Sequence, residues 1–257
     1  MNQYFDMNDT LPKQMQRHTY EILNRVENTH WWFVGRRAIL ESILSGVVKE
    51  FSSKDLKILD VGCGTGANLQ MLSKFGNAEG VDVSEQAIRF CKEKGLKVRF
   101  GLAEELPFSD ESFDIVTALD VIEHLDDDIR GLREMHRVLR AGGRILIFVP
   151  AFMWLWGVQD EVSNHRIRYT RSQIVEKVQM AGFQIERATY ANITFLLPIF
   201  LGRILMRIFK IKPTSENNIN ISTLNGMFGR LFGAERFWLR FADIPVGVSI
   251  IVVARKI

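Results

Sequence analysis

Cysteine is scarce in this chain: two in 257 residues, Cys63 and Cys91. One stands in a glycine-rich turn and one in a predicted helix, so a disulfide framework is excluded and a reducing compartment is implied. Long apolar runs are also missing. No stretch reaches the roughly 18 uninterrupted apolar residues of a membrane span. The first residues, Met1 to Asp6, have neither the basic flank nor the apolar run of a signal peptide. The formal net charge is only +3, with 33 basic and 30 acidic side chains. That is too mild for a nucleic-acid binder, and any basic patch must be local. Internal repeats and low-complexity segments are absent. What remains is a chain of 47% hydrophobic residues, enough for one domain with additions rather than two independent ones.

The stretch Lys57-Ile-Leu-Asp-Val-Gly-Cys-Gly-Thr-Gly-Ala67 organises that domain. Ile58 to Val61 is the short apolar run of a buried parallel strand. Asp60 lies within it, and Gly62, Gly64 and Gly66 follow at alternate positions. Glycine opens backbone angles closed to other residues and lets a ligand approach the main chain. Ala67 to Lys74 reads as a helix, completing the strand, turn and helix that open a nucleotide-binding α/β fold. The glycines alone also satisfy Gly-x-Gly-x-x-Ala, the dinucleotide pattern, and a tight turn without a ligand stays open at this point.

A second strand, Ala78 to Asp82, ends in an acid about 20 residues after Asp60. An acid at that spacing accepts hydrogen bonds from ribose hydroxyls. Alternatively, Asp82 or Ser84 caps the next helix, Ser84 to Lys94. Strand three is Lys97 to Phe100, and strand four, Ile115 to Leu119, ends at Asp120. A helix over Asp128 to Leu139 stops at Ala141-Gly-Gly143. Strand five is Arg144 to Pro150. Strands alternating with helices predict a doubly wound α/β sheet.

The motifs Ile58-Leu-Asp-Val-Gly-Cys-Gly-Thr-Gly66, Gly80-Val-Asp-Val-Ser84, Ala103-Glu104 with Leu106-Pro-Phe108, Asp120-Val-Ile-Glu-His124 and Leu139-Arg-Ala-Gly-Gly143 occur in order. Over residues 56–150 the chain resembles class I S-adenosylmethionine-dependent methyltransferases, in the type 11 branch around ubiquinone and menaquinone biosynthesis. The resemblance implies a Rossmann-like, doubly wound, seven-stranded sheet with an antiparallel last strand, and S-adenosylmethionine as cofactor. It implies cofactor contacts from Asp60, Gly62, Cys63, Gly64, Gly66, Asp82, Val83, Ala103, Glu104, Asp120 and Val121. Many relatives have aspartate where this chain has Leu102, so a contact to the adenine amino group is missing here or taken by Glu104.

Outside that core, residues 1–30 are polar and read as helical. Trp31-Trp-Phe-Val-Gly-Arg-Arg37 follows, then a helix through Val48. Two tryptophans beside two arginines read either as an aromatic plug on the sheet edge or as a lid, with Arg36 or Arg37 reaching an anion. Beyond strand five, Trp154 and Trp156 precede Asp160, His165, Arg166, Arg168 and Tyr169. This segment leaves the carboxyl end of a strand, the rim where such folds bind ligands. It is either an acceptor wall or a hydrogen-bonded structural loop, with Thr170 capping the helix Arg171 to Met180. The expected acceptor contacts are Trp31, Trp32, Arg36, Trp154, Arg166, Arg168 and Tyr169. His124 and His165 are the candidate bases, with cations around His165 expected to favour its neutral form. No metal-binding residue is predicted.

Gly182 to Tyr190 reads as strand six and Val246 to Ala254 as strand seven. Their connection, about Ala191 to Pro245, far exceeds a hairpin. Within it, Phe195 to Lys212 is nearly all apolar, with Arg203, Arg207 and Lys210 on one helical stripe. This pattern suits a helix lying in a membrane interface, or a helical hairpin buried in a dimer interface or over the substrate. After a polar break at Ser215-Glu-Asn-Asn218, Leu224 to Phe241 is again aromatic and basic. The expected organisation is a helical cap over 1–50, a cofactor-binding core over 51–190, an amphipathic insertion over 191–245 and a final strand over 246–257. The predicted function is methyl transfer to a small or lipid-like acceptor, by a cytoplasmic bacterial protein in peripheral contact with the inner membrane face. The competing classes are a non-catalytic cofactor-binding scaffold and a nicotinamide-dependent oxidoreductase. The absence of an Asn/Asp-Pro-Pro-Tyr motif and of a strong basic surface argues against a DNA methyltransferase.

Overall fold

Strand β1 (Lys57–Val61) lies near the middle of a seven-stranded sheet and is fully buried from Ile58 onward. A computed structural model describes residues 17–53, 55–209 and 222–257. The sheet runs β3-β2-β1-β4-β5-β7-β6, with β2 (Asn77–Asp82), β3 (Val98–Phe100), β4 (Phe113–Leu119), β5 (Leu139–Pro150), β6 (Phe183–Ala191) and β7 (Ser249–Lys256). The first five strands are parallel, and β7 runs antiparallel between β5 and β6. Order reverses beside β1, where β2 and β4 pair with its two edges. A crevice forms at that reversal, outside the carboxyl ends of the strands.

Helices α3 (Ala67–Leu72), α4 (Glu85–Glu93), α5 (Asp128–Val138) and α7 (Arg171–Met180) flank the sheet. Their starts follow the capping logic of the sequence. The Ser84 hydroxyl accepts from the Ala87 amide, and Thr170 forms a capping box with Gln173. Strand β5 begins earlier than the expected Arg144, because Leu139 already pairs with Phe113. The register then shifts before Ile115 meets Arg144, so the Ala141-Gly-Gly143 stretch bulges out of the ladder instead of ending α5.

The aromatic segment before the core is not a loop leading into a helix. Helix α2 (Trp31–Val48) begins at Trp31, capped by His30, whose Nδ1 accepts from the Trp32 amide at 3.3 Å. Trp32 and Arg36 therefore share one helical face and Trp31 and Gly35 another. The connection between β6 and β7 carries α8 (Leu196–Ile208), α9 (Ser222–Gly233) and α10 (Glu235–Trp238). Helix α9 packs on α2 so closely that a Cβ on Gly35 would stand 2.5 Å from a Phe232 ring carbon. Trp31 joins the same contact, with its ring 4.5 Å from Phe195 and 6.2 Å from Phe232. The insertion and the segment before the core thus meet over one edge of the crevice.

The basic stripe on α8 faces the protein. Arg203 is buried and donates to the Leu155 carbonyl, and Arg207 donates to the Trp156 carbonyl. The opposite face presents Leu197, Leu201, Leu205 and Ile208, 48–66% exposed. Lys210, the polar break at 215–218 and the expected helix over residues 1–16 lie outside the described residues. Among the described residues no helix is long and apolar enough to cross a membrane.

Candidate active site

Two cavities open at the carboxyl ends of β1, β2 and β4. The smaller, about 110 Å³, is lined by Gly62, Gly64, Asp82, Val83, Ala103, Glu104 and Val121, among others. The larger, about 500 Å³, reaches under α2 and α8 and includes Trp31, Trp32, Arg36, Phe195, Phe228 and Arg203. Gly62, Gly64, Asp120 and His124 line both.

The glycine turn is shaped by what touches it. Gly62 has φ +64°, and a Cβ there would meet Val121 at 2.5 Å, so only glycine fits. A Cβ on Gly64 would meet nothing within 4 Å and would project into open space beside both cavities. Asp82 holds this turn. It accepts from the Gly64 amide at 2.9 Å and from the Ser84 amide at 2.8 Å. Asp82 therefore anchors the turn while Ser84 caps α4: the two roles fall to two residues. Burial raises the Asp82 carboxyl above its ordinary value, against these backbone donors.

Two expected cofactor residues lie beneath the cavities. Asp60 is buried, accepts from the Thr117 hydroxyl at 2.6 Å, and is pushed up to about 7 by burial. Gly66 stands at the N-cap of α3 with φ +94°. Both support the turn without lining it. Cys63 lines the larger cavity, buried, its thiol raised well above the usual range by Cys91 and by burial.

Of the expected acceptor residues, Trp31, Trp32, Arg36 and Arg168 line the larger cavity. Arg36 lies 4.7 Å from the Trp32 ring centroid and pairs with Asp120. Trp154, Arg166 and Tyr169 do not reach it. Trp154 stacks on Phe152 at 5.1 Å and meets Phe200 edge-on, half exposed. Arg166 pairs with Asp126 and donates to the His124 carbonyl at 2.9 Å. Tyr169 is fully buried, and its hydroxyl donates to Asp128 at 2.9 Å. Its ring fills core space, which the rim position of the segment did not reveal.

The two histidines come together with their rings 4.6 Å apart and edge to face. Burial, the neighbouring His165 and Arg166 push His124 down to about 3. The nearest charged neighbour of His165 is a carboxylate, not the expected cations: its Nδ1 donates to Asp160 at 2.8 Å. Burial alone would raise Asp160, but the His165 hydrogen bond and the charge of Arg168 outweigh it and hold the group at about 2. Glu123, fully buried beside them, is pushed up to about 8 by desolvation.

Several lining residues carried no motif. Glu27, on the rim before α2, pairs with Lys94 at 3.0 Å and accepts from Thr65. His30 lines the larger cavity with its Nε2 unpartnered, and burial lowers it to about 4. Tyr20 of α1 (Arg17–Val26) lines the smaller one. Only the fold brings these positions to the crevice.

Residues 59–147 match the model of a family described as a methyltransferase domain. A demethylmenaquinone methyltransferase of Staphylococcus aureus is 36% identical over 136 residues, covering 49% of this chain and 54% of that one. An uncharacterised protein of Methanocaldococcus jannaschii is 29% identical over 171 residues, 66% of this chain and 69% of that one. The chain thus spans about half the length of the demethylmenaquinone methyltransferases it matches. A solved S-adenosylmethionine-dependent methyltransferase of Thermotoga maritima superposes with a TM-score of 0.54 at 20% identity, over 93% of this chain and all of that one. At that identity the likeness concerns the fold.

Proposed function

The chain belongs to the type 11 branch of the class I S-adenosylmethionine-dependent methyltransferases, and on that premise we propose that it transfers a methyl group to an amphiphilic small molecule. The observation that carries this reading is the junction of the two cavities at Gly62, Gly64, Asp120 and His124. One cavity offers what a nucleoside needs: open backbone at Gly64, an acid at the end of β2, and the Ala103–Glu104 rim. The other offers aromatic walls of the size and polarity that suit a small, partly apolar acceptor.

The residues at hand fit the cofactor. Asp82 keeps acceptor capacity beyond its backbone bonds and would take the ribose hydroxyls. Val83, Ala103, Glu104 and Val121 would hold the adenine, and Gly62, Cys63, Gly64 and Asp120 the methionine side. When bound, S-adenosylmethionine would supply a methyl group already activated by its sulfonium. The protein's task is then alignment and exclusion of water. Trp31, Trp32, Arg36, Arg168 and Arg203 all line the larger cavity, which would take the acceptor. His124 stands at the junction and His165 beside it on the larger cavity, where a hydroxyl or amine of the acceptor would be polarised.

The acceptor class is read from the walls: Trp31, Phe195, Phe228 and Ile199 suit an aromatic, prenyl or acyl group. The outward apolar face of α8, with Phe237, Trp238 and Phe241 exposed nearby in sequence on the same insertion, supports peripheral membrane contact, from which such an acceptor would be drawn. A helix whose arginines are engaged inward leaves leucines as its outer surface.

The test is calorimetry with S-adenosylhomocysteine and with NAD. Saturable binding of the first and none of the second is expected, with affinity reduced roughly 10- to 100-fold in Asp82→Ala, in line with loss of charge-assisted hydrogen bonds. Binding of NAD alone would assign the chain to oxidoreductases.

A further inference from the structure

We propose that Glu123, His124 and His165 form a binding site for a first-row divalent cation, of the zinc or manganese class, at the edge of the larger cavity. The inference deepens the methyltransferase reading and rests on it for the role of the cavity.

The three side chains come from two segments, the 3-10 turn Ile122–His124 and the loop after the short helix Val158–Val162. One ligand atom from each lies within 4.8 Å of the others. Glu123 Oε1 and His165 Nε2 are 3.9 Å apart. Ligands about 2.1 Å from a tetrahedral ion stand roughly 3.4 Å from one another, so binding requires a small inward movement of the side chains.

The independent observation is the state of Glu123. Its side chain has no solvent exposure, and neither carboxylate oxygen finds a well-formed hydrogen bond from another residue; only its own amide and distant charges offset the burial. A buried carboxylate with so few donors is costly. The neighbouring cations pair with other carboxylates, Arg168 with Asp160 and Arg36 with Asp120, so their charges offset the burial of Glu123 only in part. A cation at the triad completes that partial compensation.

The surrounding contacts already orient the ligands. Asp160 accepts from His165 Nδ1 at 2.8 Å, which leaves the lone pair of Nε2 on the side of Glu123. Asp160 is itself fixed by Arg168 Nε at 2.8 Å and the Gly157 amide at 2.7 Å. This is the carboxylate–histidine–metal arrangement that sets tautomer and ring direction in metal centres. The His124 ring is likewise oriented by the backbone of Ser163 and Asn164. Two imidazoles and one carboxylate suit zinc, iron, manganese or nickel over calcium, and three protein ligands leave coordination positions open. Since His124 and His165 line the larger cavity, those positions open toward the acceptor. The class of acceptor that such a cation would hold is one presenting oxygen: a hydroxyl, a phenol or a carboxylate.

The experiment uses the untagged full chain, stripped with chelator and dialysed. Zn2+ and Mn2+ are titrated by calorimetry, bound metal is counted by elemental analysis, and Co2+ is added as a spectroscopic probe. S-adenosylhomocysteine affinity is measured in parallel. Expected are one equivalent of metal per chain and a Co2+ visible spectrum of low coordination number. Glu123→Gln and His165→Ala should each lose at least tenfold in metal affinity, and Asp160→Asn about 10- to 100-fold, while S-adenosylhomocysteine still binds and so reports a folded chain. Stoichiometric metal binding that survives all three substitutions overturns the proposal, as does normal S-adenosylhomocysteine binding with no metal bound. Loss of S-adenosylhomocysteine binding by the unaltered chain would instead overturn the methyltransferase reading and leave the cation measurement to stand separately.

Discussion

The guanidinium of Arg36 and the carboxylate of Asp120 form an ion pair that joins the second turn of α2 to the end of β4. Asp120 adopts φ +61°, a conformation rare for a residue with a side chain. Arg36 also donates to Asn68 at 3.3 Å and lies over the Trp32 and Phe148 rings. One buried cation thus ties the aromatic helix to the rim shared by both cavities. Arg36→Ala is expected to destabilise the chain by about 3 kcal/mol, since breaking a buried pair leaves its partner uncompensated. Urea unfolding measures this; a loss below about 1 kcal/mol would show that the pair is not what anchors α2.

The contact between α2 and α9 gives a second expectation. Gly35→Ala places a methyl group against Phe232, which is fully buried. Overpacking of this kind costs about 1–3 kcal/mol. Adding Phe232→Leu should recover part of the loss, so the double variant will be more stable than the sum of the singles predicts. Strict additivity in denaturant unfolding would mean that the two helices do not meet at this point.

Asp60 sets a pH dependence. Its folded-state value of about 7 exceeds the ordinary 3.8, so between those values the folded chain holds a proton that the unfolded chain has lost. The stability contribution is fully present below pH 4 and is lost as pH rises through 7. Its slope is about 1.4 kcal/mol per pH unit. Burial is the main cause, partly offset by Thr117 and Arg36. Asp60→Asn should therefore flatten the fall in stability between pH 4 and 7. Chemical unfolding across that range checks it, and an unchanged slope would contradict the assignment.

The outer face of α8 predicts vesicle binding. Replacing Leu197, Leu201 and Leu205 together by glutamine should abolish co-flotation with anionic phospholipid vesicles. Each is about half exposed or more, so unfolding free energy should change by less than about 1 kcal/mol, as for surface substitutions. Equal flotation of variant and parent would remove the membrane reading.

What could be read in advance was what is local. The glycine turn, the acid at Asp82 and the Ser84 and Thr170 caps depend on neighbours a few residues away, and the structure puts them where the spacing did. The family resemblance supplied the antiparallel β7. Other features depended on distant partners. The start of α2 at Trp31 was obscured by Gly35, a poor helix residue whose reason is Phe232 on an element far along the chain. Tyr169 looked like a rim aromatic because its segment follows β5, but Asp128 draws its hydroxyl into the core. Helical spacing puts Arg203 and Arg207 on one face of α8, but their inward direction depends on the carbonyls of Leu155 and Trp156. Arg166 and Arg168 adjoin His165 in sequence and suggest a cationic setting, whereas the fold turns its ring to Asp160.

The most direct test of the account is incubation of the chain with methyl-labelled S-adenosylmethionine and cell membranes, followed by extraction and identification of the labelled product. Label is expected in an organic-extractable amphiphile, dependent on the chain and lost with Asp82→Ala. Label confined to water-soluble products would contradict the acceptor class, and absence of any transfer, with S-adenosylhomocysteine failing to bind, would contradict methyl transfer itself.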